Sequence, residues 1–522
     1  MSDLSPNQQP HAVFISEVQG HQARYRKVVQ FTRSSTRAAG IMLLAAVVAI
    51  IVANTAGYES FLAFWHTEVT VGFGETVASM SLAHIINDIF MAVFFLLVGL
   101  EVKYELTVGE LTNIRQAILP IMGAVGGVLA PIGIYLAFNA GNPVTSHGWG
   151  VPTATDIAFA LGILALLGSR VPTGVRVFLS TLAVADDIIA IIVIAVFYGS
   201  APSPEWLFAA GVATLALILM NRGHIYSLYP YAIVGVILWA CVFMSGIHST
   251  IAGVVLAFTI PSGSRVNLRS FTSWSDSKVQ QAREAYEPET PVMAQPDYIK
   301  TVQSLSRVAK QVIPPATRLE HRLYPWVYFG VLPLFALTNA DVSLVGLDFG
   351  AVLSDPVLYG VLFGLVVGKP AGIMAMSFLV VKTGLAKLPE NVNWLHMLGA
   401  GILGGVGFTM AIFVANLAYD SAASIATAKL AILLASLIAG AVGFLFLFIQ
   451  AKAAQRSGVA YIDELPSDNG RLQTADLEEA RESEELLRDM GKRPRDGRLA
   501  GPAAHGHEGG SEEREDAQRS GR

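Results

Sequence analysis

Apolar stretches long enough to cross a lipid bilayer recur along almost the whole chain. A membrane helix needs about 20 apolar residues to cross about 30 Å of hydrocarbon. We predict about twelve spans, at residues 37–57, 83–101, 116–138, 150–168, 174–198, 205–221, 229–245, 247–261, 325–339, 357–380, 396–419 and 428–451. Only 14% of the 522 residues are charged, compared with about a quarter in a soluble domain. The sequence therefore predicts an all-α polytopic membrane protein.

Basic residues are distributed unevenly between the connections. Those after the odd-numbered spans contain no Lys or Arg, although Lys429 falls just inside span twelve. The alternate connections contain Lys103, Arg115, Arg170, Arg176, Arg222, the basic residues of 262–322, Lys382 and Lys387. Because Lys and Arg are retained on the cytoplasmic side, both termini are predicted to be cytoplasmic.

Three polar segments lie outside the predicted spans. Residues 1–33 lack the apolar core and cleavage site of a signal peptide and are predicted to be a cytoplasmic segment. The membrane domain is expected at 34–452, with a long cytoplasmic loop at 262–322 that we expect to be mostly disordered apart from helical turns. Residues 453–522 are predicted to form a disordered cytoplasmic tail.

The connection after the first span contains a strand-like pattern. Polar and apolar residues alternate over residues 67–71, and a Gly-Phe-Gly sequence follows at 72–74. This pattern predicts a short β-hairpin outside the membrane. The hairpin could cover the protein as a lid or pair with a second copy, and the sequence favours neither.

Four charged residues lie deep within predicted spans: Asp156, Asp186, Asp187 and Lys369. Unpaired, they would together cost on the order of 12 kcal/mol, so they must compensate one another or face water. Neighbouring helical positions point about 100° apart. One of the adjacent aspartates can therefore pair with Lys369 while the other faces a hydrated cavity. A carboxylate in such a cavity can exchange protons, and its hard oxygens suit Na+ or Li+, without any cofactor.

Other charged residues lie near the ends of spans. We interpret Glu101, Lys103, Arg170 and Arg176 as interface anchors whose side chains extend towards the headgroups. Asp88 is either a cavity-wall residue or close to the headgroups. The single cysteine, Cys241, excludes an internal disulfide and a cysteine-based metal cluster.

Two spans contain helix-breaking residues at corresponding places. The fourth begins at Gly150 and contains Pro152 followed by Thr155-Asp156, which are residue types that cap helices. Residues 401–407 of the eleventh are rich in glycine. Such interruptions in matching halves indicate the binding site of an inverted-repeat transporter.

Five sequence strings are similar to those of NhaA-type sodium/proton antiporters. They are residues 151–162 (VPTATDIAFALG), residues 95–103 (FLLVGLEVK), the Asp186-Asp187 pair, residues 368–370 (GKP) and residues 407–410 (GFTM). The resemblance covers about residues 34–452 and implies twelve helices in inverted repeats, with two interrupted helices crossing at the membrane midplane. It further implies that Asp187 is the main Na+ ligand and that Asp186 pairs with Lys369. Asp156 beside Thr155 would balance the half-helix ends together with Lys369.

The same resemblance implies a function. Members of this family exchange one Na+ or Li+ for two protons, are located in the bacterial inner membrane, use no cofactor and typically form homodimers through an external hairpin. They are transporters rather than enzymes. Glu101, Glu320, His321 and His248 resemble residues of the pH response in this family, whereas Tyr324 stands where related chains often have a second histidine.

Two other functional classes also place carboxylates inside a membrane. An intramembrane aspartyl protease needs two aspartates that share a proton, which a buried Lys369 would oppose, and its usual Gly-x-Gly-Asp string is missing. A cation channel would conduct without proton coupling. A Na+ gradient that drives proton movement would distinguish exchange from both.

Overall fold

The computed structural model describes residues 29, 31–32, 34–73, 76–199, 202–345, 349–389 and 391–456. These residues are almost entirely helical, apart from one two-stranded sheet. Most of the predicted segment 1–33 and nearly all of the predicted tail lie outside the described residues.

The elements follow the predicted spans closely. In chain order they are α1 Ser35–Ala53, α2 Tyr58–Trp65, β1 Glu68–Phe73, β2 Thr76–Ser81, α3 Leu82–Thr107, α4 Ile114–Asn139, α5 Pro143–Thr153, α6 Ile157–Leu166, α7 Thr173–Phe197, α8 Pro204–Arg222, α9 Leu228–Met244, α10 Thr250–Thr259, α11 Leu268–Glu284, α12 Pro296–Val312, α13 Pro315–Trp326, α14 Leu332–Asn339, α15 Phe349–Ser354, α16 Pro356–Lys382, α17 Trp394–Gly404, α18 Phe408–Ala418 and α19 Ala422–Arg456. The π-helical turn Val327–Val331 joins α13 to α14.

Nine of the predicted spans have helices of sufficient length and hydropathy. Within the described residues, seven helices can cross a membrane individually, and two bent pairs, α5–α6 and α17–α18, bring the total to nine. The pairs bend by 42° and 46° at their breaks, so both predicted helix interruptions are confirmed. The spans predicted at 229–245, 247–261 and 325–339 correspond to α9, α10 and the joined α13–α14, and their membrane crossing stays a prediction.

The predicted hairpin is confirmed. Strands β1 and β2 are antiparallel, with Glu68 opposite Ser81 and Phe73 opposite Thr76. The chain passes directly from β2 into α3, so the hairpin side of the molecule is the side on which α3 begins.

The expectation of disorder in the 262–322 loop is wrong. This segment contains the 17-residue helices α11 and α12, followed by most of α13. Pro296 and Pro315 are first residues of helices, where a missing N–H costs little. The Gln295 side chain donates to the Glu287 and Thr290 carbonyls at 2.8 and 2.6 Å, and the rings of Tyr286 and Tyr298 pack 5.3 Å apart. Local capping and packing therefore order a segment whose composition is polar.

The membrane helices form two groups with separate hydrophobic clusters. One cluster draws its buried residues from α4, α6, α7, α16, α17 and α19, and we call α4–α7 with α16–α19 the site group. The other draws on α3, α8, α9, α10 and α13, which we call the hairpin group because β2 leads into α3. A third cluster, which includes residues of α1, α14 and α18, joins the two groups.

Small residues bring α4 and α16 together within the site group. Gly126 and Gly372 face each other, and a Cβ at either glycine would collide with the backbone of the other helix. The absence of side chains allows a closer approach than other residues permit. This contact fixes α16, which includes Lys369, against α4.

A candidate ion-binding site at two helix breaks

The two helix breaks lie against each other. The Asp156 amide donates to the Val406 carbonyl at 2.8 Å, and the Thr155 hydroxyl donates to the Gly404 carbonyl at 2.9 Å. A Cβ at Gly407 would lie only 3.0 Å from the Ala154 carbonyl oxygen, so glycine permits the close approach. Each break thus supplies hydrogen-bond partners for backbone groups that the other break leaves free.

Asp156 connects the beginnings of two half-helices. One oxygen, Oδ1, accepts from the Phe159 amide in the first turn of α6 at 3.0 Å. The other, Oδ2, accepts from the amide and the hydroxyl of Thr409, at the start of α18, at 3.1 and 2.5 Å. The N-terminus of a helix has partial positive charge that a carboxylate stabilises. The single Asp156 carboxylate therefore neutralises both half-helices.

Lys369 lies at the C-terminal end of the half-helix α5. It follows the π-helical turn Gly364–Gly368 in α16, and π-helical turns are frequent at functional sites. Its Nζ lies 2.7 Å from Asp186 Oδ2, and the two side chains are 0% and 1% exposed. The same Nζ donates to the Thr153 carbonyl, at the C-terminal end of α5, where positive charge is favourable. The other oxygen, Asp186 Oδ1, is buried without a hydrogen-bond partner among the described residues.

Asp187 occupies a different environment from its neighbour. It is 3% exposed and forms no ion pair with any residue that the structure describes. It lines a cavity of about 10 Å³, which is room for about one water-sized species. The cavity is also lined by Phe94, Val98, Glu101, Asp156, Ile157, Ala158, Tyr328, Leu332, Thr409 and Met410. Carboxylate and hydroxyl oxygens from three helices, from the first helix break and from the π-helical turn before α14 therefore surround a space of ionic size.

Comparisons with known proteins identify the family of this chain. The profile of the family described as Na+/H+ antiporter 1 matches residues 29–447. The chain belongs to this sodium/proton antiporter family. A protein of Wolinella succinogenes named Na(+)/H(+) antiporter NhaA is 43% identical over 426 residues, which cover 81% of this chain and 93% of that protein. The NhaA proteins of Oleidesulfovibrio alaskensis and Helicobacter pylori strain G27 are each 44% identical, over 78% and 81% of this chain and 90% and 95% of their own lengths.

Membership of the NhaA family identifies a transporter rather than an enzyme. Within the described part of the chain, no three His, Cys, Asp or Glu side chains converge closely enough to hold a metal ion.

The interpretation of Glu101 and Lys103 as interface anchors is wrong for this antiporter. Glu101 lines the cavity and accepts a long hydrogen bond, 3.5 Å, from the Tyr328 hydroxyl. Lys103 is 9% exposed and donates to the carbonyls of Phe258, at 2.8 Å, and Ile260 at the end of α10. Both side chains point from α3 into the protein, where they contact polar groups of the protein and not lipid headgroups.

Asp88 lies outside the cavity lining, and so do the predicted pH-response residues other than Glu101. Glu320 and His321 lie in α13. The His248 ring lies 2.5 Å from the Tyr198 carbonyl, just beyond the end of α7. The Asp88 carboxylate accepts from Ser249 at 3.2 Å, which joins α3 to the start of α10.

Sequence reasoning assigned no role to Thr409 or Tyr328. Thr409 lies two residues after Gly407 and provides a threonine hydroxyl in the second break, as Thr155 does in the first. That parallel was a signal in the sequence. Tyr328 lies in a π-helical turn within an apolar run, and no local pattern distinguishes it.

Thr409→Val is expected to destabilise the protein by about 1.5–3 kcal/mol, the usual contribution of a hydrogen bond to a charged group. Valine keeps the shape of the side chain but removes the hydroxyl that donates to Asp156. Thermal unfolding of the detergent-solubilised protein measures the effect. Thr409→Ser retains the hydroxyl and should unfold close to the parent; equal stability of the valine variant would show that this bond contributes little.

Proposed function

We propose that the protein exchanges intracellular Na+ or Li+ for external protons across the bacterial inner membrane, with both termini in the cytoplasm. The observation that supports this most strongly is the different surroundings of two adjacent carboxylates. Asp186 is neutralised by Lys369, whereas Asp187 lines a cavity of ionic size. Asp187 therefore provides the charge for which a cation and a proton compete.

The other polar groups have roles that follow from their contacts. Asp156 accepts hydrogen bonds from Phe159 in one half-helix and from Thr409 in the other, so it fixes the geometry of the breaks. Thr155 bridges to Gly404 across the breaks and lies beside Asp186. Na+ from the cytoplasm binds at Asp187 and displaces protons from Asp187 and from the Asp186–Lys369 pair. External protons expel the ion after the site has reopened outward.

Exchange of one Na+ for two protons moves net charge. Each turnover that exports one Na+ and admits two protons carries one positive charge inward, so a membrane potential that is negative inside drives the cycle. Glu101, together with Glu320, His321 and His248, is proposed to make the rate depend on cytoplasmic and external pH. Transported Na+ and protons are the only ligands that this mechanism requires.

A second copy of the chain is the proposed protein partner. The hairpin is a two-stranded sheet in the described residues, and an isolated two-stranded hairpin is at best marginally stable in water. Pairing between the hairpins of two copies would supply further strands and give a homodimer.

Reconstitution into liposomes tests the function directly. An imposed Na+ gradient should move protons in the opposite direction, with the rate increased by a membrane potential of the appropriate sign. Liposomes in which K+ replaces Na+, and liposomes without protein, provide the baseline. Na+ flux without proton movement would instead indicate a channel, and cleavage of a transmembrane peptide without ion coupling would indicate a protease.

A further inference from the structure

The cavity is closed towards the hairpin side by residues that follow the same order on three helices. From the cavity outward, the order is Val98, Phe95 and Asn87 on α3; Leu332, Phe335 and Asn339 on α14; and Met410, Phe413 and Asn416 on α18. By the distribution of basic residues, the hairpin side is the external side. The external route to the site is therefore closed in successive layers.

The inner layer is aromatic. The ring of Phe413 lies 5.5 Å from that of Phe95 and 6.2 Å from that of Phe335. All three side chains are buried. This layer excludes water between the cavity and the hairpin side, but apolar contacts of this kind can slide and reform without a specific partner.

The outer layers are polar and directional. The Asn416 amide donates to Asn339 Oδ1 at 2.8 Å, and the Asn339 amide donates to Asn87 Oδ1 at 2.8 Å. Further out, Lys429 Nζ lies 2.9 Å from Asp341 Oδ1, with the side chains 13% and 14% exposed. Hydrogen bonds depend steeply on distance and angle, so these contacts are either made or broken.

Two of these polar contacts, Asn416–Asn339 and Lys429–Asp341, join elements of different helix groups. Asn416 and Lys429 are in α18 and α19 of the site group. Asn87 is in α3 of the hairpin group, and Asn339 and Asp341 lie at the end of α14, which is continuous with α13 of the hairpin group. An opening on the hairpin side must separate α18 and α19 from α3 and α14, which breaks these contacts.

We propose that the Asp341–Lys429 ion pair and the Asn416–Asn339 hydrogen bond form an external latch. The latch holds the route to Asp187 closed on the hairpin side and must release in every transport cycle. It sets the balance between the closed and the externally open states, since each state is stabilised only by contacts that the other lacks. The proposal rests on the exchange function proposed above and adds the contacts that control when the site opens to the external side.

A chemical tether tests whether the latch must open. Cys241→Ala removes the only cysteine, and Asp341→Cys with Lys429→Cys then places two thiols at the latch. Cross-linking them with a short bifunctional methanethiosulfonate should reduce Na+/H+ exchange at least about tenfold, and a reductant should restore it. Unchanged exchange by the fully cross-linked protein would overturn the proposal.

A matched tether controls for the reagent. Phe138 of α4 and Tyr359 of α16 stack with ring centroids 6.0 Å apart, and both helices are in the site group. Phe138→Cys with Tyr359→Cys in the same background should tolerate cross-linking, because these helices stay together in the cycle. Equal inhibition by both tethers would also contradict the latch, since it would indicate a general requirement for flexibility.

A labelling experiment tests the latch without measuring transport. Thr338 lies between Phe335 and Asn339 and is 8% exposed. In the Cys241→Ala background, Thr338→Cys should react slowly with a membrane-impermeant thiol reagent added on the hairpin side. Adding Asp341→Asn should accelerate the reaction roughly threefold or more, because the open state becomes more populated.

Asp420→Asn, which removes an exposed carboxylate on the same side, should leave the labelling rate unchanged. No acceleration by Asp341→Asn, or equal acceleration by Asp420→Asn, would refute the latch. If the parent protein failed to exchange ions while Asp341→Asn still accelerated labelling, the exchange function would be wrong and the latch would stand.

Discussion

Asp187→Asn is expected to reduce Na+/H+ exchange roughly 30- to 150-fold, which corresponds to the loss of about 2–3 kcal/mol of charge-assisted binding. Asparagine has nearly the same size as aspartate but has neither the negative charge that attracts Na+ nor the oxygen that takes up a proton. Because Asp187 has no ion-pair partner among the described residues, removing its charge should leave no buried charge uncompensated. The variant should therefore insert and fold while losing exchange.

Everted membrane vesicles provide the measurement, as the Na+-dependent change of internal pH. Asp420→Asn is the matched control, because it makes the same substitution at an exposed carboxylate outside the cavity. It should exchange ions at the parental rate. Normal exchange by Asp187→Asn, at normal protein levels, would remove Asp187 from the ion path and with it the proposed mechanism.

Lys369→Met is expected to lower the stability of the folded protein more than Thr409→Val or Asp187→Asn. The lysine is fully buried, and it donates to Asp186 and to the Thr153 carbonyl. Its removal leaves the Asp186 carboxylate buried without its countercharge, which typically costs about 3–5 kcal/mol. Thermal unfolding in detergent, compared at a fixed heating rate, should show this as a clear decrease of the midpoint.

The double variant Asp186→Asn with Lys369→Met separates charge pairing from packing. Removing both charges leaves no uncompensated ion, and such replacements are often nearly neutral. The double variant should therefore be more stable than Lys369→Met alone, and the cycle of single and double variants gives the coupling between the two residues. Additive effects would show that the ion pair contributes no coupling and that lysine acts through its volume.

Much of this architecture follows from local properties of the chain. Apolar stretches longer than the hydrocarbon thickness predict membrane helices, and nine of them are confirmed by length and hydropathy. Proline, glycine and capping residues predict helix breaks, and both lie where expected. The 262–322 loop was not predictable in the same way, because Gln295, the Tyr286–Tyr298 contact and two initiating prolines order it, whereas its composition favours disorder.

The sequence by itself determined that the four charges of Asp156, Asp186, Asp187 and Lys369 lie within the membrane domain and need compensation, because a charged side chain in hydrocarbon is costly wherever the chain folds. It also determined that Asp186 and Asp187 must differ, since adjacent helical positions point in different directions. Only the tertiary structure decided that Lys369 faces Asp186, which is 183 positions away in the chain. It also decided that Glu101 turns inward to the cavity and that Thr409 bridges the breaks. These outcomes depend on how the helices rotate and pack against one another, which no local stretch of sequence specifies.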